Sequence, residues 1–70
     1  MSTMTMLNNC IAYAVSNNAA ARTLYDSHAV DLAEMNIDYG TEIQFSNASV
    51  VIVAGVSPFG SVYCNIHTLH

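Results

Sequence analysis

Residues 49–56 read Ser49-Val50-Val51-Ile52-Val53-Ala54-Gly55-Val56, a short stretch that is apolar at nearly every consecutive position. β-Branched side chains dominate it, and at this length they favour a strand over a buried helix. Continuous apolar runs are typical of strands covered on both faces, whereas a strand with one wet face alternates apolar and polar residues. The stretch therefore predicts a central strand, covered on both sides, around which the rest of the chain is arranged.

The segments on either side of this stretch alternate between apolar and polar residues, as strands with one wet face do. Both links to the central stretch are short and rich in turn residues: Ser46-Asn47-Ala48-Ser49 before it and Ser57-Pro58-Phe59-Gly60 after it. Such connections join neighbouring antiparallel strands. The sequence predicts a three-stranded antiparallel meander with residues 50–56 in the middle.

Alternation also predicts two faces for this sheet, and the strand register decides which central-strand set, Val50, Ile52 and Ala54 or Val51 and Val53, belongs to which face. We expect the assignment that pairs like with like. One face packs on a helix and carries Ile43, Phe45, Val50, Ile52, Ala54, Val62, Cys64 and Ile66. The other face has an apolar centre, Val51 and Val53, surrounded by a polar rim of Glu42, Gln44, Tyr63, Asn65 and His67. This second face is closed either by the N-terminal segment of the chain or by another chain.

A helix is predicted over residues 19–35, because its apolar positions advance by threes and fours. These positions are Ala21, Leu24, Tyr25, His28, Leu32 and Met35. Ser16-Asn17-Asn18 supplies N-capping chemistry before the helix. Ile37-Asp38-Tyr39-Gly40 ends it, since glycine readily adopts positive φ.

Residues 4–16 fit two structures. A helical stripe is formed by Met6, Leu7, Cys10, Ile11, Ala14 and Val15, while the same region alternates as a strand would. The predicted fold class is α+β, with one or two helices packed on a three-stranded antiparallel β-meander. The alternative is a βαβββ four-stranded sheet with one helix.

Length and charge limit the functions that the chain can have. Residues 1–70 form a single small domain, with one arginine, five carboxylates, no lysine and a net charge of −4. All six charges lie between Arg22 and Glu42. Direct binding to nucleic acid or to an anionic membrane needs clustered Lys and Arg, so neither is expected.

In the absence of a secretory signal pattern, we expect a cytoplasmic protein whose Cys10 and Cys64 are free thiols.

Sites for catalysis or metal binding are weak in this sequence. Cys64, His67 and His70 are spaced three apart, which matches no zinc pattern. A Cys–His nucleophile would need Cys10 or Cys64 beside His28, but His28 falls on the apolar face of a predicted helix. We therefore expect a protein that is not an enzyme and that holds no metal and no cofactor.

The remaining expectation is a protein-binding module. Its acidic contact residues are Asp31, Glu34, Asp38 and Glu42, which would dock on a basic surface of another protein. In size and charge, though not in any motif, the chain resembles small phage- or mobile-element-encoded inhibitors of host defence or nucleic-acid-handling complexes, including anti-CRISPR proteins. The alternative is a small homo-oligomeric structural or accessory protein, with Val51, Val53 and Tyr63 buried between copies.

Overall fold

The structure is a computed structural model, and it describes residues 2–69. Three helices precede three strands, and the strands form one antiparallel sheet in the order β1-β2-β3. The elements are α1 Thr3–Val15, α2 Ala19–Ser27, α3 Ala29–Glu34, β1 Glu42–Ser46, β2 Val50–Val56 and β3 Val62–Thr68. This is the predicted α+β class with the predicted meander, and the four-stranded alternative is wrong.

Residue pairing across the sheet assigns every side chain to a face. Ala54 lies between Ile43 and Cys64, and Ile52 lies between Phe45 and Ile66. Because side chains alternate along a strand, these positions share one face, as the sequence predicted. We call it the inner face, since α1 and α2 pack on it and complete the hydrophobic core.

The N-terminal segment is helix α1, which confirms the helical alternative for this part of the chain. Ser2 caps it, because its Oγ accepts a hydrogen bond of 3.1 Å from the backbone N–H of Thr5. Leu7, Ile11 and Val15 follow at helical spacing and are almost fully buried. These side chains belong to the same core as the inner face of the sheet, so α1 does not close the opposite face.

The predicted helix over residues 19–35 is instead two helices, separated at His28, and it ends at Glu34. Side chains at the junction compete for backbone groups. Ser27 Oγ donates to the carbonyl of Leu24 at 2.7 Å, and His28 Nδ1 lies 3.1 Å from the same oxygen. Such bonds offer the last turn an alternative to the regular helical ladder, and φ and ψ at His28 are −109° and 7°.

Turn chemistry predicted from the sequence is confirmed at Asn18 and Asn47. The prediction that Ile37-Asp38-Tyr39-Gly40 ends the helix is wrong, because the helix ends at Glu34 and Met35 is its extended C-cap. Asn18 Oδ1 accepts a hydrogen bond of 3.1 Å from Ala21 N–H and caps α2. Gly40 has a φ of 82°, in the region that favours glycine, and its N–H donates to the carbonyl of Val56. Asn47 Oδ1 accepts from two backbone N–H groups in the β1–β2 turn.

The central strand is covered on one face only, so the prediction of a doubly covered strand is wrong for this chain. Val50 and Ile52 on the inner face are 1% and 0% exposed, whereas Val51 and Val53 on the opposite face are only partly buried. Helices α1 and α2 each carry a single apolar side, and both of these sides pack on the inner face. We call the uncovered side of the sheet the outer face.

Candidate functional site

The outer face is an apolar centre enclosed by polar side chains. Val53 lies between Gln44 and Asn65, and Val51 lies between Ser46 and His67. Rim-and-centre surfaces of this kind are typical of protein contacts rather than of catalysis. The composition that the sequence predicted for this face is confirmed, and no element among residues 2–69 covers it.

One end of the outer face is shaped by Gly55. The hydroxyl of Tyr63 donates a hydrogen bond of 2.7 Å to Glu42 Oε1, and both residues pair with Gly55 from opposite sides. A Cβ atom at Gly55 would lie 2.8 Å from the Tyr63 hydroxyl and 2.5 Å from the carbonyl oxygen of Thr41. The bare backbone of Gly55 therefore lets a tyrosine and a carboxylate meet across the central strand.

Two further aromatic side chains lie at this same end. The ring of Tyr39 covers Gly60 in the β2–β3 turn, and Tyr39 remains 63% exposed. Phe59, in the same turn, is 94% exposed. We name this region the aromatic–acidic end, and its residues are Asp38, Tyr39, Glu42, Phe59 and Tyr63. Sequence reasoning treated Phe59 only as part of a turn, although an aromatic residue at a turn tip is itself a signal of exposure.

The Tyr63–Glu42 bond leads to a pH-dependent prediction. The pKa of Tyr63 is raised, first by its hydrogen bond to Glu42, then by burial and by the charge of Glu42. The substitution Glu42→Gln should lower that pKa toward the ordinary tyrosine value, as measured by tyrosinate absorbance with Tyr63→Phe to assign the signal. Because the pKa of Tyr63 is higher in the folded than in the unfolded state, its bond to Glu42 stabilises the fold fully at pH values below the unfolded-state pKa. This stabilisation is lost as the pH rises through the folded-state pKa. Glu34→Gln, which removes the same charge elsewhere, should leave the titration unchanged, and an equal effect of both variants would contradict the assignment.

The predicted acidic contact residues do not form one continuous row, because the helix that carries the first two ends before Asp38. Asp31 and Glu34 are on α3, Asp38 is in the extended segment after it, and Glu42 begins β1. All four are exposed. The separation follows from the end of the helix at Glu34, which sends the chain across to the sheet. Glu42 alone belongs to both the acidic group and the outer face.

The cysteines and histidines do not assemble a Cys–His pair in the described part of the chain. His28 Nδ1 lies within hydrogen-bonding distance of Ser27 Oγ and the Leu24 carbonyl, and its ring packs 5.1 Å from that of Phe45. Cys10 and Cys64 are free thiols. Burial, and secondarily the charge of Cys10, raise the pKa of Cys64 to about 11, which keeps that thiol protonated and a poor nucleophile at neutral pH.

Residues 2–69 form neither a metal site nor a cleft of typical small-molecule size. No group of three His, Cys, Asp or Glu residues is placed to hold a metal ion, and His70, considered above, lies outside the described residues. A cleft of about 210 Å³ lies between the end of α1 and α2. It is smaller than the ~300 Å³ lower bound for typical small-molecule pockets. Its lining residues are Ala12, Val15, Ser16, Arg22, Tyr25 and Asp26.

Comparison of the chain with protein-family models, with curated proteins and with solved structures gave no match. Separately, none of the helices within residues 2–69 has both the length and the apolar character needed to cross a bilayer.

Proposed function

We propose that this chain is a non-enzymatic protein-binding module that docks on a basic surface of another protein. The observation that carries the proposal is the aromatic–acidic end, where the Tyr63 hydroxyl bonds to Glu42 and where the exposed Tyr39 and Phe59 lie at the same end of the sheet. Aromatic side chains supply most of the binding energy at many protein interfaces, and flanking charges give specificity and speed of association. With a net charge of −4 and one arginine, the chain is attracted to a basic partner.

The sharper form of this proposal is an inhibitor of a nucleic-acid-handling or host-defence complex, of the phage-encoded anti-CRISPR type. Its support is the small size, the acidity and the exposed aromatic–acidic end. In that role Asp38 and Glu42 would lie at the centre of the contact and face the groove in which a nucleic acid binds, whereas Asp31 and Glu34 on α3 would lie at its rim and contribute less. The two free thiols fit a reducing compartment, so the cytoplasm is the proposed location.

The test compares two charge-matched variants in affinity capture from cells of the source organism. Asp38→Asn with Glu42→Gln neutralises the aromatic–acidic end, whereas Asp31→Asn with Glu34→Gln neutralises two carboxylates on α3. We expect the first variant to lose a captured basic protein, with affinity falling about tenfold and wild-type binding weakening as salt is added. Capture that is equal for both variants, or insensitive to salt, would rule out docking through this end.

A homo-oligomeric structural or accessory protein is the second candidate function. The observation that favours it is the apolar centre of the outer face, where Val51 and Val53 remain partly exposed beside Tyr63. Copies that met through this face would bury that centre. Loss of self-association in a Val51→Lys variant, with the aromatic–acidic end unchanged, would favour this candidate over the first.

A further inference from the structure

Within residues 2–69, the outer edge of β3 carries a row of backbone groups that no neighbouring strand pairs. The β2–β3 ladder is bonded at one end from Leu69 N–H to the carbonyl of Ser49 and at the other from Ser57 N–H to that of Ser61, both at 2.8 Å. In an antiparallel pair, the N–H and C=O groups of alternate residues point toward the neighbouring strand. The odd-numbered residues of β3 therefore exchange backbone hydrogen bonds with β2. The even-numbered residues therefore direct their N–H and C=O groups away from the sheet, and they are Val62, Cys64, Ile66 and Thr68.

This edge has none of the features that prevent strands from pairing. β3 is seven residues long and contains no proline, lysine, aspartate or glutamate. The opposite edge strand, β1, is five residues long and begins with Glu42. Natural edge strands are normally shortened, charged, bulged or covered, because an open edge is a template for another strand. Among the two edges of this sheet, β3 is the one left available.

Helix α1 packs above β3 on the inner face of the sheet. The α2-facing side of α1 is marked by Asn8, whose carbonyl accepts a bond from the Tyr25 hydroxyl. On the opposite side of the helix lie Met6, Cys10 and Tyr13, spaced by four and three residues as in a helix–helix seam. Tyr13 is 84% exposed, and α1 contains no charged residue. The wall formed by β3 and this side of α1 thus combines open strand hydrogen bonding with an apolar helix flank.

We propose that two copies of this chain associate through this wall, β3 against β3 and α1 against α1, about a twofold axis through Asn65. Antiparallel pairing in this register places Val62 opposite Thr68 of the second copy and Cys64 opposite its Ile66. Four residues with one N–H and one C=O each offer eight groups per edge, and this register pairs all of them. A shift to an axis through Ile66 pairs only three of these residues within the described part of β3.

The distribution of charged side chains favours a second copy of the chain as the partner at this wall. Two chains of net charge −4 repel each other, and all their formal charges lie between Arg22 and Glu42, outside β3 and α1. The wall is therefore a place where identical copies meet without apposing carboxylates. A basic partner is instead attracted to the aromatic–acidic end, so this inference stands independently of the proposed function. Depletion of charge with retained aromatic and apolar groups is characteristic of the centre of interfaces.

The test is sedimentation equilibrium of the purified full chain over a range of concentrations, beside a matched pair of variants. Asn65→Lys places two lysines opposite each other at the axis, in a pair whose Cα atoms are ~4.5 Å apart. Gln44→Lys adds the same charge on the same face, across Val53 from Asn65 but on β1. We expect the wild type to reach the mass of two 7.5 kDa chains, Asn65→Lys to weaken association about tenfold or more, and Gln44→Lys to leave it unchanged.

A second variant keeps the test decisive if Asn65→Lys disturbs folding, which circular dichroism would report. Thr68→Pro removes an N–H that points away from β2, so it spares the intramolecular ladder and removes an intermolecular bond. It should also weaken association. A monomeric wild type at every concentration, dimers unaffected by both β3 variants, or equal weakening by Gln44→Lys would each overturn the proposal, the last because it places the contact on the outer face.

Discussion

The Gly55→Ala variant is expected to lose about 3 kcal/mol of stability, a large fraction of the total for a chain of this size. The added Cβ would lie 2.5 Å from the backbone oxygen of Thr41 and 2.9 Å from Glu42 Cα, so flexible side chains cannot relieve the clash. Strand β1 must move away from β2 at the point where Val56 N–H donates to Thr41 O. Urea unfolding followed by circular dichroism measures the loss as a lower midpoint.

Two controls separate this backbone clash from other effects. Gln44→Ala changes an exposed residue on the same face and should alter stability by less than ~0.5 kcal/mol. Tyr63→Phe combined with Gly55→Ala removes the hydroxyl that lies 2.8 Å from the new Cβ, but it leaves the Thr41 contact in place. We therefore expect the double variant to recover only part of the loss. Wild-type stability of Gly55→Ala would show that β1 does not approach β2 this closely.

The Ile52→Ala variant is expected to lose about 3–4 kcal/mol, because it opens a cavity at the centre of the core. Ile52 is fully buried in the middle of β2, between Phe45 and Ile66 and beneath the helices. A domain of 70 residues has few kcal/mol to lose, so much of the variant population should be unfolded at 37 °C. Loss of the cooperative urea transition, or a midpoint near zero denaturant, would be the measured result.

Valine-to-alanine variants on the two faces of β2 test the one-sided burial directly. Val50 is 1% exposed on the inner face, whereas Val53 is partly exposed on the outer face. The same two methyl groups are removed in each, so Val50→Ala should cost about 2 kcal/mol and Val53→Ala less than about 1 kcal/mol. Measurement must be made below the concentration at which copies associate. Equal losses in the monomer would mean that the outer face is covered within the chain.

The two proposed surfaces are compatible with each other. Pairing through β3 would place Tyr63 of one copy opposite His67 of the other, so the two aromatic–acidic ends would lie at opposite ends of a continuous six-stranded sheet. The dimer would then present two docking ends to basic partners. Two linked sites bind a repeated or symmetric partner more tightly than one, provided that the geometry allows both to engage. Association in the absence of a partner, and partner binding by a monomeric Thr68→Pro chain, distinguish the two proposals.

Several features of the structure were predicted from short segments of sequence. The sheet order follows from the short turns, and the apolar and polar sets of the two outer strands follow from alternation. The positive φ of Gly40 follows from the backbone preference of glycine. Caps at Asn18 and the turn at Asn47 follow from side chains that bond to nearby N–H groups. These interactions act over a few residues, so they can be recognised without knowledge of the remainder of the fold.

The break at His28 was not predicted, although its cause is also local. Leu32 stays on the buried side of α3, so the apolar periodicity continues through the junction and conceals it. Ser27 and His28 bond to the carbonyl of Leu24, and periodicity does not reveal which backbone oxygen a side chain will choose. Asp38 was consequently expected to follow Asp31 and Glu34 if the helix continued, and it lies instead in the segment between α3 and β1.

The sequence by itself determined the α+β class, the meander, the cap at Asn18 and the residues that alternate along each outer strand, because these depend on spacing and on neighbouring backbone preferences. Only the tertiary structure decided that α1 and α2 share the inner face, that the outer face stays open and that the ring of Tyr39 lies over Gly60. An apolar residue such as Val53 has the same identity whether it is covered or exposed. What covers it depends on where distant helices pack, and that information is carried by the whole chain.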